Sequence, residues 1–243
     1  MIYRANEGQV SSGEAIGILL TNSAVPFIPG DVANATTYNF PVRFKKVPGL
    51  TIESLFNHDT SLIESVVDAA LELKKDGVRA ITGDCGFMAI YQKDLVQQVG
   101  LPIFMSSLIQ IPFMERLIRK EDKIGIITAN SQSLDQIALE PCGADFGDKL
   151  IIRGLEECTY FADAFIKETG ELHKDKVESE VVSVAKQIIT DAPEVKLLLS
   201  ECSVLAPYGP AVQQATGLPV FDYITMINYI HSVVVKQHFN GYM

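Results

Sequence analysis

Short apolar runs alternate with helix-period patterns along this chain. Residues 15–20 (AIGILL) have the length and apolarity of a strand buried on both faces. Residues 21–50 carry Pro26, Pro29, Gly30, Pro41, Pro48 and Gly49, which predicts a long loop. A loop of that length inside a compact domain is usually functional, often a lid. Ser61 and Glu64 are spaced as a capping box. Ile63, Val66, Val67, Ala70 and Leu71 then recur at helical spacing, and Gly77 supplies a stop. Residues 78–82 (VRAIT) predict a second strand, followed by a tight turn at Gly83, Asp84, Cys85 and Gly86. The pattern then repeats. Residues 123–128 (KIGIIT) read as a strand, and Val177, Val181, Val184, Ala185, Ile188 and Ile189 mark a helix ending before Pro193. Residues 195–199 (VKLLL) read as another strand, followed by Ser200, Glu201, Cys202 and Ser203. Strands that alternate with helices predict parallel pairing through right-handed crossovers.

The two halves of the chain match. Ile16-Gly17-Ile18 is repeated as Ile124-Gly125-Ile126, and in that frame Asn22 corresponds to Asn130. The cysteine turn after VRAIT corresponds to the one after VKLLL. Gly100-Leu101-Pro102-Ile103-Phe104 begins as far beyond Cys85 as Gly217-Leu218-Pro219-Val220-Phe221 begins beyond Cys202. These correspondences predict an α/β protein of two pseudo-symmetric halves, each with a mostly parallel sheet flanked by helices. The expected domains are residues 1–110 plus 217–243, and residues 111–216, with the active site in the cleft between them. A repeat this long is not a solenoid period.

Composition narrows the function. The chain has 243 residues, with 20 basic and 30 acidic side chains and a formal net charge of −10. That balance predicts no nucleic-acid partner, since backbone binding needs clustered Lys and Arg. It also predicts no anionic membrane partner. No apolar run approaches the length of a membrane span. Residues 1–12 lack a basic start followed by an apolar stretch, so no signal peptide is expected. Four cysteines are too few for a disulfide scaffold. The expectation is a cytoplasmic protein with reduced thiols. No glycine-rich phosphate loop occurs, and the four histidines show no metal-ligand spacing, so neither nucleotide nor metal is expected.

The cysteine pair carries the candidate chemistry. Ligands of open parallel sheets bind beyond the carboxyl ends of the strands. Cys85 and Cys202 each follow such an end, so facing halves would bring both thiols to one cleft. Asn22 and Asn130 would arrive there from the ends of the first strand of each half, unless they serve only as turn residues. Inverting a carbon centre next to a carboxylate needs a base on one face and an acid on the other. Cysteine suits both roles, because its ordinary pKa of about 8.5 lies near working pH. Gly86, Phe87, Ser203 and Val204 would present backbone N–H groups to the substrate carboxylate at a helix start. Asp84 and Glu201 directly precede the thiols. They either orient or deprotonate them, or cap the following helix. A lone cysteine usually packs as a small hydrophobe, which is the reading for Cys142 and Cys158. Two at equivalent places in a duplicated unit point to function. Tyr38, Arg43 and Phe44 are candidates for selecting the substrate from the 21–50 segment.

Residues 82–88 (TGDCGFM), 200–209 (SECSVLAPYG), 217–227 (GLPVFDYITMI) and 29–34 (PGDVAN) resemble the aspartate/glutamate racemase superfamily, and the likeness covers nearly the whole chain. The resemblance implies two Rossmann-like domains, no cofactor and a homodimer or higher homo-oligomer. It implies catalytic roles for Cys85 and Cys202, and substrate-carboxylate contacts by Asn22, Gly86, Phe87, Asn130, Ser203 and Val204. Glutamate racemases carry Asp-Ser where this chain has Thr21-Asn22, and Cys-Thr-His where it has Cys202-Ser203-Val204. The superfamily also holds hydantoin racemases, maleate isomerases, malonate decarboxylases and lyases of sulfonium propionates. The expected function is a cofactor-independent racemase or epimerase that inverts the α-carbon of a small acidic amino acid with two thiols. The alternative is a lyase, decarboxylase or cis-trans isomerase of a small carboxylate on the same scaffold.

Overall fold

The computed structural model describes Ile2 and residues 7–243; Met1 and residues 3–6, part of the polar start read above, lie outside the described residues. The first half contains β1 (Ile16–Leu20), β2 (Val42–Lys46), α1 (Ile52–Phe56), α2 (Ile63–Lys75), β3 (Ala80–Gly83), α3 (Gln92–Val99) and α4 (Ile111–Glu115). The second contains β4 (Lys123–Thr128), α5 (Gln136–Leu139), β5 (Leu150–Gly154), α6 (Thr159–Phe161), α7 (Lys174–Asp191), β6 (Val195–Ser200), α8 (Gly209–Thr216), β7 (Val220–Phe221) and α9 (Tyr223–Val234). Two parallel sheets result, ordered β2-β1-β3 and β5-β4-β6-β7. A parallel bridge between Ile81 and Ile103 holds in the first sheet the place that β7 holds in the second.

The duplication persists at the level of single hydrogen bonds. Asp84 N–H donates to Leu19 O at 3.0 Å, and Glu201 N–H donates to Ile127 O at 2.8 Å. Ile81 N–H donates to Pro102 O, and Leu198 N–H donates to Pro219 O, both at 3.0 Å. Packing repeats as well. A Cβ on Gly17 would lie 2.9 Å from Leu73 of α2, and one on Gly125 would lie 2.7 Å from Ile188 of α7. Each central strand therefore keeps a glycine where its crossover helix presses closest.

Three apolar clusters fill the interior. One joins α2 and β3 to residues on β4 and β6, across the two halves. A second packs α7 on the other face of the second sheet. The third places Tyr223, Met226 and Ile227 of α9 against Ile16, Ile18 and Ala80. The last helix thus returns to the first sheet, whereas residues 220–221, expected with the first half, pair with β6 in the second. Among the described residues no helix is long and apolar enough to cross a membrane.

Two local expectations need correction. The 21–50 segment is not all loop, since it contains β2, the edge strand beside β1. Val42 and Phe44 face the apolar cluster with Tyr38 and Phe40, while Arg43 and Lys45 reach acidic partners. The alternation of a half-buried strand was present between the flanking prolines. Ser61 does not cap α2, which starts at Ile63 with no side-chain cap. Ser61 N–H instead donates to Asp59 Oδ1 at 2.8 Å. Reciprocal capping boxes occur at Thr51 with Ser54 and at Asp222 with Thr225.

Candidate active site

The carboxyl ends of β3 and β6 deliver Cys85 and Cys202 in extended backbone, each directly before a six-residue 3-10 turn, Gly86–Tyr91 and Ser203–Tyr208. Each turn runs on into an α-helix, α3 or α8, so each thiol stands at the start of a longer helical stretch. Both cysteines line one cavity of ≈ 30 Å³, room for about two water molecules. Asp84, Ser203 and Val204 line it too. The remaining wall comes from Thr21, Ser23, Val25 and Phe27 after β1, from Ile52 and Phe56 of α1, and from Ala129 and Phe165 of the second half. Among the described residues no Lys, Arg or His lines it. Ala24 N–H donates to Glu168 Oε2 at 3.1 Å and ties the segment after β1 to the second half.

The acids before the thiols are held in equivalent ways. Asp84 accepts from Thr21 N–H at 3.0 and 3.1 Å and from Thr21 Oγ1 at 3.2 Å. Glu201 accepts from Thr128 Oγ1 at 2.8 Å and from the backbone N–H of Ala129, the counterpart of Thr21. Burial pushes both carboxyls up to about 7 despite these bonds. Glu201 Oε1 is buried and has no hydrogen-bond partner among the described residues. It lies against Gly86, where a Cβ would sit 1.5 Å from it. Neither acid caps a helix: the 3-10 turns follow the cysteines and have no side-chain cap.

Burial also pushes both thiols well up from their ordinary range, and neighbouring acids add to the effect. For Cys85 the second cause is the charge of Cys202, so the two sulfurs share one electrostatic neighbourhood. The backbone N–H of Phe87 acts the other way on Cys85, as does that of Val204 on Cys202. These two donors, expected to face a substrate carboxylate, face the sulfurs.

Several expected residues lie elsewhere. Asn22 is exposed, and its N–H donates to Leu50 O at 2.7 Å. Asn130 Oδ1 accepts from Gln132 N–H at 3.0 Å and Ser133 N–H at 3.2 Å, as in a turn. Neither lines the cavity. Thr21 and Ala129, one residue earlier in each half, do. Gly86, Phe87 and Glu201 are buried behind the wall. Tyr38 bonds Val32 O at 2.7 Å, and Arg43 pairs with Glu14 and Asp76 away from the thiols. Sequence reasoning missed Asp31. It is 2% exposed, accepts from Ala33 N–H at 2.7 Å, and is pushed up to about 7 by burial, with a smaller contribution from Asp84. The PGDVAN stretch contained it without revealing its depth. A Cβ on Gly30, which sits at φ 100°, would lie 3.1 Å from Pro207.

Comparison with other proteins sharpens this picture. No family model matches the chain. A dimethylsulfoniopropionate lyase of Durusdinium sp. clade D is 35% identical over 210 residues, which cover 83% of this chain and 69% of that protein. The chain belongs to the dimethylsulfoniopropionate lyase family. Dimethylsulfoniopropionate lyase 3 of Emiliania huxleyi is 31% identical over 229 residues, covering 90% of this chain and 59% of that one. The family member described here thus spans about two thirds or less of the length of these relatives. Among solved structures, allantoin racemase from Pseudomonas fluorescens superposes with TM-score 0.61 at 14% identity, covering 91% of each chain. Arylmalonate decarboxylase superposes with TM-score 0.59 at 18% identity, covering 90% and 91%. The fold is that of the aspartate/glutamate racemase superfamily, as the motifs implied. The lyase relatives favour the lyase alternative over the amino-acid racemase expected from the thiol pair.

Proposed function

We propose that this protein is a lyase that eliminates dimethyl sulfide from dimethylsulfoniopropionate. The observation that carries the reading is the shared cavity, which has two thiols and an acid in its wall and, among the described residues, no basic side chain. Such a wall is poor at holding a simple dicarboxylate and suited to a substrate with a positive end. One cysteine thiolate removes a proton from the carbon beside the carboxylate. The C–H electron pair becomes the new C=C bond, and the C–S bond breaks. Its electron pair leaves with dimethyl sulfide, and acrylate remains. The proton on sulfur then returns to solvent, restoring the thiol.

Both thiols are held neutral by burial and by the acids around them. A bound sulfonium reverses that balance, because a nearby positive charge favours the thiolate. The substrate therefore helps to ionise its own base. The Ser23 hydroxyl supplies a donor for the carboxylate as charge builds on it, whereas the hydroxyls of Thr21 and Ser203 already donate to Asp84. The cavity volume requires the wall to yield before the substrate enters. The second cysteine belongs to this reading as part of the cavity wall, with no proton to deliver, since neither dimethyl sulfide nor acrylate takes one up, and an assembly of two or more copies as the oligomeric form.

Incubation with dimethylsulfoniopropionate, followed by gas chromatography of the headspace and chromatography of acrylate, tests it. Equal release of both products is expected, and absence of both refutes the reading. One observation favours a second reading, inversion of an α-carbon, namely the equivalent placement of the thiols on one cavity. Incubating an amino-acid panel in heavy water separates the two readings, since only inversion washes deuterium into a recovered amino acid.

A further inference from the structure

Three phenylalanines reach the thiol cavity from three separate elements. Phe27 lies on the segment after β1, Phe56 ends α1, and Phe165 belongs to a π-helical turn at Ala162–Ile166. Single π turns inside helical stretches recur at functional sites, because they re-aim one side chain. Two of the rings are braced by others. The rings of Phe56 and Phe87 pack T-shaped at 5.0 Å and 80°, and Phe161 tilts against Phe165 at 5.0 Å and 51°. Phe165 is almost fully buried.

The carboxylate in the wall, Asp84, is already engaged by the backbone and hydroxyl of Thr21. A dimethylsulfonium group spreads its positive charge over methyl groups and has no N–H or O–H to donate. Ring faces, with their negative quadrupole, receive such a cation while also burying its methyls.

We propose that Phe27, Phe56 and Phe165 form the receptor for the methylated cationic end of the substrate and so select onium carboxylates over neutral ones. This rests on the lyase reading for the identity of the cation. Fixing the leaving group against rigid rings also sets which carbon faces the thiols.

The test uses two carboxylates of one shape and different charge, 3-(trimethylammonio)propionate and 4,4-dimethylpentanoate. Calorimetry on the wild-type protein needs no turnover and no variant. The ammonium compound is expected to bind about tenfold tighter than its neutral isostere. In Phe27→Leu, Phe56→Leu and Phe165→Leu, that ratio is expected to fall toward one. Equal affinity of the two compounds for wild type overturns the proposal. So does failure of both to bind, or an equal loss for both compounds in every leucine variant. Absence of dimethyl sulfide release refutes the lyase reading without altering the ratio, whereas release with a ratio of one refutes the aromatic receptor alone.

Discussion

The Ser203 hydroxyl donates a hydrogen bond to the backbone carbonyl of Asp84, so the residue after one thiol is tied to the residue before the other. The opposite tie runs from Ser107 Oγ to Glu201 O at 2.7 Å. Sulfur-to-sulfur geometry across the cavity therefore depends on bonds between the halves as well as on packing within each.

Ser203→Ala leaves the Asp84 carbonyl buried without that partner. The expected cost is about 1–3 kcal/mol of stability by denaturant unfolding. Activity should fall mainly in kcat, because the base loses its placement while the cavity wall keeps its shape. A variant with wild-type stability and kcat would show the tie to be dispensable.

The two thiols are not interchangeable in an elimination, which needs a single base. One of Cys85→Ser and Cys202→Ser is expected to lose dimethyl sulfide release by about 10²–10⁴-fold. The other should retain a measurable fraction of it. Loss of exchange and inversion in both variants, with no elimination in wild type, would instead fit the racemase reading.

Asp31, Asp84 and Glu201 make stability fall as pH rises. Their folded pKa values of about 7 lie above the ordinary 3.8 for Asp and 4.5 for Glu. Below about pH 4 both folded and unfolded states hold these protons, so the groups contribute nothing. Between about 4 and 7 the unfolded chain releases protons that the folded state keeps, and folding weakens progressively. Above 7 the penalty is constant, on the order of a few kcal/mol per group. Asp84→Asn and Glu201→Gln should flatten the slope of unfolding free energy across that window, read by urea titrations at stepped pH.

Gly86 has no room for a side chain, because a Cβ there collides with the Glu201 carboxylate and comes within 3.0 Å of Glu201 O. Gly86→Ala should cost about 1–3 kcal/mol through overpacking. Glu201→Asp, which shortens the offending side chain, should restore part of the loss in the double variant. Additive costs in the double-mutant cycle would rule out this contact as the cause.

Much of the architecture was legible because period and punctuation are local properties. The AIGILL, KIGIIT and VKLLL runs became β1, β4 and β6 within a residue or so, and Gly100 and Gly217 sit in left-handed backbone where their repeated GLP segments leave α3 and α8. The edge strand β2 was obscured by prolines on both sides. Its pattern of alternation was weaker than the turn signals around it. The thiol pair was legible through the repeat alone. Asn22 and Asn130 misled because they hold matching places in the two halves. Their side chains, however, turn to solvent or to the local turn, and the neighbours Thr21 and Ala129 take the cavity.

By itself the chain order determined two repeated α/β units, a cysteine after a buried strand in each, and an acid before each cysteine. Tertiary structure alone decided what those groups experience. Burial drives the thiols and acids toward their neutral forms, an effect set by the whole surrounding shell and by no stretch of sequence. It also decided that Phe27, Phe56 and Phe165, far apart in the chain and unremarkable as core candidates, converge on one wall. Convergence of that kind follows from how three separate elements pack, which neither spacing nor composition encodes.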